Sequence, residues 1–287
     1  MDICSLPLEI ELLIFDDLRG DRTSLQACSL VCRAWRSTSQ IYLFRRLQLK
    51  ASLSQGEHLA FDQFLSSAPS LAASIRDLHL SGPIGVHADV SSRPPDDRPR
   101  VSTQLLRSLI SKLPSLQSLS IIFIKFTGGD VEPPIDPLSR PSLENLDINM
   151  GGRVGDKQDM INLLSTISLF SHIGQLSISV MAFLSVSPTL IDADHALQSF
   201  MLPGPVAVEE LDMLSFRTPW ISFLYHVLLK TESHVNSLHT ICACVTGGWA
   251  YIVQFGHFLR AVGPTLRNFK FNPSHTLFYA RQGSFPV

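Results

Sequence analysis

Charged side chains are scarce in this sequence, at 17% of residues against roughly 25% in an average soluble protein. With 45% hydrophobic residues, that scarcity excludes a disordered chain and predicts an extensively buried core. The formal charge of −2 leaves no global basic field for a phosphate backbone, so nucleic acid is not an expected main partner. Cysteine is also rare. The five residues Cys4, Cys28, Cys32, Cys242 and Cys244 are too few and too clustered for a disulfide scaffold. No Asn-x-Ser/Thr acceptor without proline at x occurs, and the opening MDICSLPLEIELL mixes acids with apolar residues and has no basic leader. A secretory signal is not expected, and a cytoplasmic or nuclear protein is.

Catalytic signatures are missing too. The sequence contains no Gly-x-x-x-x-Gly-Lys, His-Glu-x-x-His or Gly-x-Ser-x-Gly segment. Gly151-Gly152-Arg153-Val154-Gly155 lacks the spacing of a dinucleotide loop. Cys28 and Cys32 are read as core residues on one helix face. Cys242-Ala243-Cys244 lacks a second ligand pair at zinc spacing and is likewise assigned to core packing. Asp192-Ala193-Asp194-His195 reads as acids before a helix, where they serve the dipole or the cap. No metal, no cofactor and no catalytic residue is therefore expected.

Between Met160 and Ile191 there is no Asp, Glu, Lys or Arg, the one stretch that raises the question of a membrane span. It holds Asn162, His172, Gly174, Gln175, Pro188 and seven serines. A buried helix followed by a buried strand accounts for it, and no membrane partner is expected.

The first fifty residues have a distinct pattern. Leu6-Pro7-Leu8-Glu9-Ile10 opens a helix, with proline near the first helical position and an acid in the first turn. Leu6, Ile10, Leu13, Ile14 and Leu18 recur at helical spacing as one stripe. Gly20-Asp21-Arg22-Thr23 breaks it, and a second helix is predicted from about Thr23 to Trp35, capped by Asp21 or Thr23. That helix would carry two apolar stripes, one of Leu25, Cys28, Cys32 and Trp35, the other of Ala27, Leu30, Val31 and Ala34. The second lies roughly 130° from the first at 100° per residue. About forty residues bury too little surface to cover both, so a partner protein is expected on one of them.

Leu6-Pro7-x-Glu9-Ile10, Ile14-Phe15-x-x-Leu18, Ser24-Leu25-x-x-Cys28-Ser29-Leu30-Val31-Cys32-Arg33-Ala34-Trp35-Arg36 and Leu43-Phe44 resemble an F-box. The resemblance covers about residues 4 to 47 and implies a helical bundle that binds a Skp-type adaptor and, through it, a cullin scaffold. Carried over by position, Leu6, Pro7, Ile10, Ile14, Leu30 and Val31 contribute to that contact, with Ala27 and Ala34 on the same predicted stripe. Trp35 is assigned to holding the bundle together. The competing reading is an ordinary helical hairpin packed on the rest of the chain.

Beyond it, an apolar-x-x-apolar-x-apolar motif returns along the chain. It begins at Phe44, Ile75, Leu116, Leu143, Ile173, Val208, Val235 and Leu266, with spacings of 31, 41, 27, 30, 35, 27 and 31 residues. The Val235 copy is imperfect and open to a three-residue shift. Helices are predicted between copies at His58–Phe64, Thr103–Leu113, Met160–Phe170, Ala193–Phe200, Trp220–Leu229 and Ala250–Ala261. Strand and helix in alternation imply crossovers and a parallel sheet, and the period implies a curved solenoid.

Residues between and beside the apolar positions are almost all polar: Gln48, Asp77, His79, Ser118, Ser120, Asn145, Asp147, Asn149, Gln175, Ser177, Ser179, Glu210, Asp212, Asn268, Lys270 and Asn272. One sheet face is therefore expected to be wet, since a doubly covered parallel sheet reads as continuous apolar runs. His79, Ser120, Asp147, Ser177, Glu210, Asp212, His239 and Lys270 are the candidate target-binding residues on it. Asp147, Glu210 and Asp212 should make it locally acidic.

The arrangement is similar to leucine-rich repeats, which often follow an F-box, and the whole resembles fungal-type F-box proteins. It departs from the stricter repeat, because Pro83, Ile124, Gly151, Met181, Phe216, Ala243 and Ser274 replace the expected Asn or Cys. The predicted fold class is α/β, an F-box helical module over 1-47 and an irregular leucine-rich-repeat-like domain over 48-287. Ser81–Arg100 and Thr127–Arg140 are long connections rich in proline, glycine and charge. No capping helix is evident after Leu266–Phe271, so a longer natural chain is expected.

The function expected is a non-enzymatic substrate receptor of a Skp–cullin–F-box ubiquitin ligase, with an unidentified protein target. The alternatives are a repeat scaffold outside any ligase, capped by its own N-terminal helices, and a hydrolase with a dispersed site.

Overall fold

The computed structural model describes residues 6–50, 55–82, 99–128, 140–150, 157–179, 206–216, 228, 237–245 and 249–271. Three short helices come first: α1 (Leu8–Asp17), α2 (Arg22–Cys28) and α3 (Arg33–Arg45). Pro7 precedes α1 at φ −55, ψ 142, and the Ile10 and Glu11 amides bond to its carbonyl. Asp21 is the cap of α2. Its carboxylate accepts the Thr23 and Ser24 amides at 3.1 Å each and the Ser24 hydroxyl at 2.6 Å, which together hold its pKa below the usual value, the hydroxyl contributing most.

The predicted Thr23–Trp35 helix is two helices. After Cys28 the chain tightens, with the Leu30 and Val31 amides reaching back three residues to Ala27 and Cys28. Cys32 is then fully extended at φ −159, ψ 172 and starts α3. Ser29, Val31 and Cys32 are weak helix formers, so little opposes the break. Cys28 and Cys32 accordingly do not share a helix face, and the geometry of two stripes on one helix does not hold.

The chain then enters β1 (Arg46–Lys50) directly from α3. There follow α4 (Gln55–Ser67), α5 (Pro69–Ala72), β2 (Asp77–Ser81), β3 (Arg100–Ser102), α6 (Thr103–Ser111), β4 (Ser118–Ile122), β5 (Lys125–Thr127) and β6 (Ser142–Asn149). The remainder is α7 (Lys157–Ile167), β7 (His172–Ser179), β8 (Ala207–Phe216), β9 (Thr240–Val245), α8 (Trp249–Val262) and β10 (Asn268–Phe271).

Eight strands form one parallel sheet in the order β1-β2-β4-β6-β7-β8-β9-β10. Each new strand is added beside the last, as parallel pairing through crossovers allows. The repeated motif sets the register. Leu47, Leu78, Leu119, Leu146, Leu176, Leu211, Ile241 and Phe269 are aligned partners, and so are Leu49, Leu80, Ile121, Ile148, Ile178, Met213, Ala243 and Phe271. From β2 to β9 these positions are buried in one continuous core with Leu65, Leu106, Leu109, Leu163, Ile167, Phe255 and Phe258 of the helices. The imperfect Val235 copy is shifted three residues, as its alternative reading allowed: Leu238, Ile241 and Ala243 hold the core positions.

Cys242 corrects a sequence assignment. Ala243 faces the core and Cys242 lies half-buried on the other face, because strand side chains alternate. A second, two-stranded parallel sheet of β3 and β5 was not expected. The chain turns out of β4 at Phe123, whose φ of 57 is left-handed. The Gly82 amide bonds to the Ile122 carbonyl at 2.8 Å, and a Cβ at Gly82 would collide with the Phe123 carbonyl. Lys125 pairs with the buried Asp159 at 3.6 Å, and the Asn162 amide donates to the Phe126 carbonyl at 2.9 Å, tying β5 to α7.

The uncharged stretch contains α7 and then β7 up to Ser179. Among the described residues no helix is long and apolar enough to cross a membrane. The predicted helices Ala193–Phe200 and Trp220–Leu229 (Leu228 apart), Asp192–His195, Gly151–Gly155, Cys4, Asn272 and most of both long connections lie outside the described residues.

Candidate functional site: an apolar helical surface and a polar sheet face

The three N-terminal helices close around Phe15, which has no exposed surface. Trp35 meets its ring edge-on at a centroid distance of 5.5 Å, Tyr42 stacks at 5.9 Å, and Leu25 is buried beside them. The buried face of α1 is thus Glu11 and Phe15, and the aliphatic stripe of Ile10, Leu13 and Ile14 lies elsewhere on the helix. Leu13, assigned to that stripe, is 67% exposed and Ile10 is also exposed. Side chains at positions 11 and 15 share a face one turn apart, and packing of the large ring outweighs the count of aliphatic residues.

What remains outside is apolar. Leu8, Ile10, Leu12, Leu13, Leu30, Val31 and Ile41 are all exposed, Leu30 by 86%. The other described residues contribute only three large exposed apolar side chains, Val253, Phe269 and Phe271. Exposed apolar side chains are thus concentrated on this small module, as is common at interaction sites. Of the residues assigned to the adaptor contact, Leu6 and Ile14 are half-buried, while Pro7, Ile10, Ala27, Leu30, Val31 and Ala34 are exposed. Leu30 and Val31 are exposed because they lie in the turn between α2 and α3. Ala27, Leu30, Val31 and Ala34 are thus exposed, although not as a stripe of one continuous helix.

The polar face of the large sheet is equally regular. Gln48, His79, Ser120, Asp147, Ser177, Asp212, Cys242 and Lys270 occupy one row across all eight strands, about 4.8 Å per step. Six of the eight candidate target-binding residues are in this row. Glu210 lies in the neighbouring row with Gln175 and Thr240, and His239 precedes β9. The Ser120 hydroxyl donates to Asp147 at 3.1 Å. Burial raises the Asp212 carboxyl above its ordinary value, and the charges of Glu210 and Asp147 add to this, against the opposing pull of the Cys242 thiol and Lys270. Cys242 is raised in turn, first by burial and then by Asp212.

The sequence reading did not single out Glu209 or His172. Glu209 binds His172 Nε2 at 2.9 Å and lies 3.7 Å from His239 Nε2. These residues adjoin a groove of about 590 Å³ at the start of the strands, lined in part by Arg76, Glu144, His172, Gly174 and Glu209. A Cβ at Gly174 would come within 2.8 Å of the Glu144 carbonyl, so the close approach of β6 and β7 here requires glycine. Glu209 and His239 occupy the two-residue gap of their motif copies, off the apolar columns, whereas His172 precedes its copy.

Residues 3–50 match the family described as F-box-like. No curated protein matches the chain. The F-box-like region thus takes in α1 to α3 and continues through β1. An F-box-like domain points in general to an adaptor role in ligases of the Skp–cullin–F-box type.

Proposed function

We propose that this chain is a substrate-recognition subunit of a Skp–cullin–F-box ubiquitin ligase, with a Skp-type adaptor on the N-terminal helices and a protein target on the polar sheet face. The observation that carries the reading is the coincidence of the F-box-like region with seven exposed large apolar side chains on a helical module already closed around Phe15. A module that has closed around Phe15 and still presents Leu30 and Val31 to solvent is suited to a second protein rather than to its own folding. In this reading the strands from residue 48 onward are an irregular leucine-rich-repeat-like solenoid. The aligned Leu/Ile columns and the wet opposite face support it. The chain contributes no catalytic group and no cofactor. It acts by proximity, because a tethered target reaches a high effective concentration at the conjugating enzyme, in the cytoplasm or nucleus.

One observation favours the scaffold alternative. Helix α3 runs into β1 without a linker, and the Arg76 amide bonds to the Arg45 carbonyl at 2.9 Å, so the helices also cap the sheet. A cap alone leaves the exposed apolar side chains without a role. Co-expression with a Skp-type adaptor tests the proposal: a stoichiometric complex on size exclusion is expected, and a chain that elutes alone at micromolar concentration would overturn it.

A further inference from the structure

Five adjacent strands, β4, β6, β7, β8 and β9, contain no lysine or arginine. On the same strands Glu144, Asp147, Glu209, Glu210 and Asp212 supply five carboxylates outside the core positions. Cations are placed at the margins of the sheet, with Arg46 and Lys50 on β1 and Lys270 on β10. Arg46 is engaged by Asp77 at 3.4 Å. Within the strip, Glu209 is shared between His172 and His239. Glu144, Asp147, Glu210 and Asp212 have no ion-pair partner among the described residues.

We infer that the strip of open sheet face from β6 to β8 docks a target segment carrying several arginine or lysine side chains. This deepens the receptor reading and rests on it for the word target. Three features give the occupant its chemistry. The charges are of one sign over several strand spacings, so a cationic chain is attracted before contact and an acidic one repelled. Asp212 Oδ1 has no hydrogen-bond partner and no solvent contact. That oxygen is closed to a ligand, but the half-buried Asp212 side chain as a whole lies on the polar face, and a guanidinium or ammonium group laid across Ser177 would lie between it and Asp147. The groove beside Glu144 and Glu209 provides depth for a long side chain at the edge of the strip, although Arg76 on its rim excludes a cation from that side. Burial is the main cause of the raised Asp212 carboxyl, and the smaller repulsion from Glu210 and Asp147 that adds to it is what a bound cation would relieve.

The test uses the full chain and a fluorescein-labelled dodecapeptide of alternating arginine and serine, with alternating glutamate and serine as control, read by anisotropy at low and moderate salt. Asp147→Asn with Asp212→Asn should weaken the arginine peptide by about tenfold or more, as expected for charges in direct contact. Asp16→Asn with Asp17→Asn, an equal change of net charge on α1, should leave it within about twofold. Glu144→Gln with Glu210→Gln, at more open positions, serves as a second pair should the first disturb folding, and should also weaken binding. No binding of the arginine peptide, equal binding of the glutamate peptide, or equal loss in the α1 variant overturns the inference. Adaptor co-purification is scored separately. A chain that binds adaptor but not the arginine peptide keeps the receptor reading and loses this one, and the reverse result does the opposite.

Discussion

The indole N–H of Trp35 donates to Glu11 Oε1 at 3.1 Å, joining α3 to α1 across 24 residues. Glu11 is only 6% exposed, so the bond satisfies a polar group that has left water, while the same indole packs against Phe15. The two roles separate by substitution. Trp35→Ala should destabilise the helical module by about 3–5 kcal/mol, as for other large-to-small changes of a packed tryptophan. Trp35→Phe should keep the ring contact and cost about 1–3 kcal/mol for stranding Glu11. A double-mutant cycle with Glu11→Ala, followed by chemical denaturation, measures the coupling. Independent effects of the two substitutions would remove the bond from the account.

Leu30 and Val31 should behave in the opposite way. Both are exposed in the α2–α3 turn, so Leu30→Asp with Val31→Asp should leave the circular dichroism spectrum and melting temperature of the free chain nearly unchanged. If the adaptor covers them, each contributes about 1.5–3 kcal/mol of apolar burial, and the complex should no longer survive size exclusion. Retained stoichiometric binding would place the contact elsewhere on the module.

The sheet was more legible in the sequence than the helical module, for a physical reason. A strand's side chains repeat every two residues, and parallel neighbours in register repeat the same positions, so one motif fixed face, order and register from Phe44 to Phe271. Even the imperfect copy at Val235 resolves once Leu238 and Ile241 take their places. The module offered forty residues of dense apolar sequence in which helical periodicity fits more than one phase. Phe15 takes the core although the aliphatic stripe passes it by, and the helix breaks at Ser29–Cys32 before Trp35 packs on Phe15, a contact that no window around Cys28 contains. The pair β3–β5 depends on a left-handed Phe123 and was not readable. On the open face, the row from His79 to Lys270 was legible from alternation, except for Cys242, which the sequence reading assigns to the core. The Glu209–His172 contact was not, since it joins strands 37 residues apart.

The two columns of the core make a further prediction. Leu146 and Leu176 are aligned neighbours on β6 and β7 and almost wholly buried. Alanine at either should cost about 2–5 kcal/mol. Ser177→Ala, one residue along the same strand on the wet face, should change stability by less than about 0.5 kcal/mol. Comparable losses at Leu176 and Ser177 in urea denaturation would mean that the polar face is also packed.

Asp212 and Asp62 should shift stability with pH in opposite directions. Burial raises the Asp212 carboxyl above its reference value of 3.8, with Glu210 and Asp147 adding to the shift. The folded state therefore holds that proton more tightly than the unfolded chain. Stability falls as pH rises from the unfolded value through the raised folded one, and the penalty is complete at neutral pH. Asp212→Asn should accordingly stabilise the protein at pH 7, by up to about 1 kcal/mol for a half-buried site, with the gain fading as pH approaches 3.8. Asp62 has the reverse sign. Its pKa is lowered by the Lys112 hydrogen bond at 2.6 Å and then by the Ser108 hydroxyl, an arrangement that ties α4 to α6. The stability it contributes is present above the reference value and is lost as pH falls through the lowered one. Asp62→Asn should destabilise at pH 7 by about 1 kcal/mol or less, and the difference should vanish in acid. Melting temperatures of both variants and the parent from pH 3 to 7 measure the two curves, and difference curves of the same sign would show that burial and the neighbouring charges do not raise Asp212.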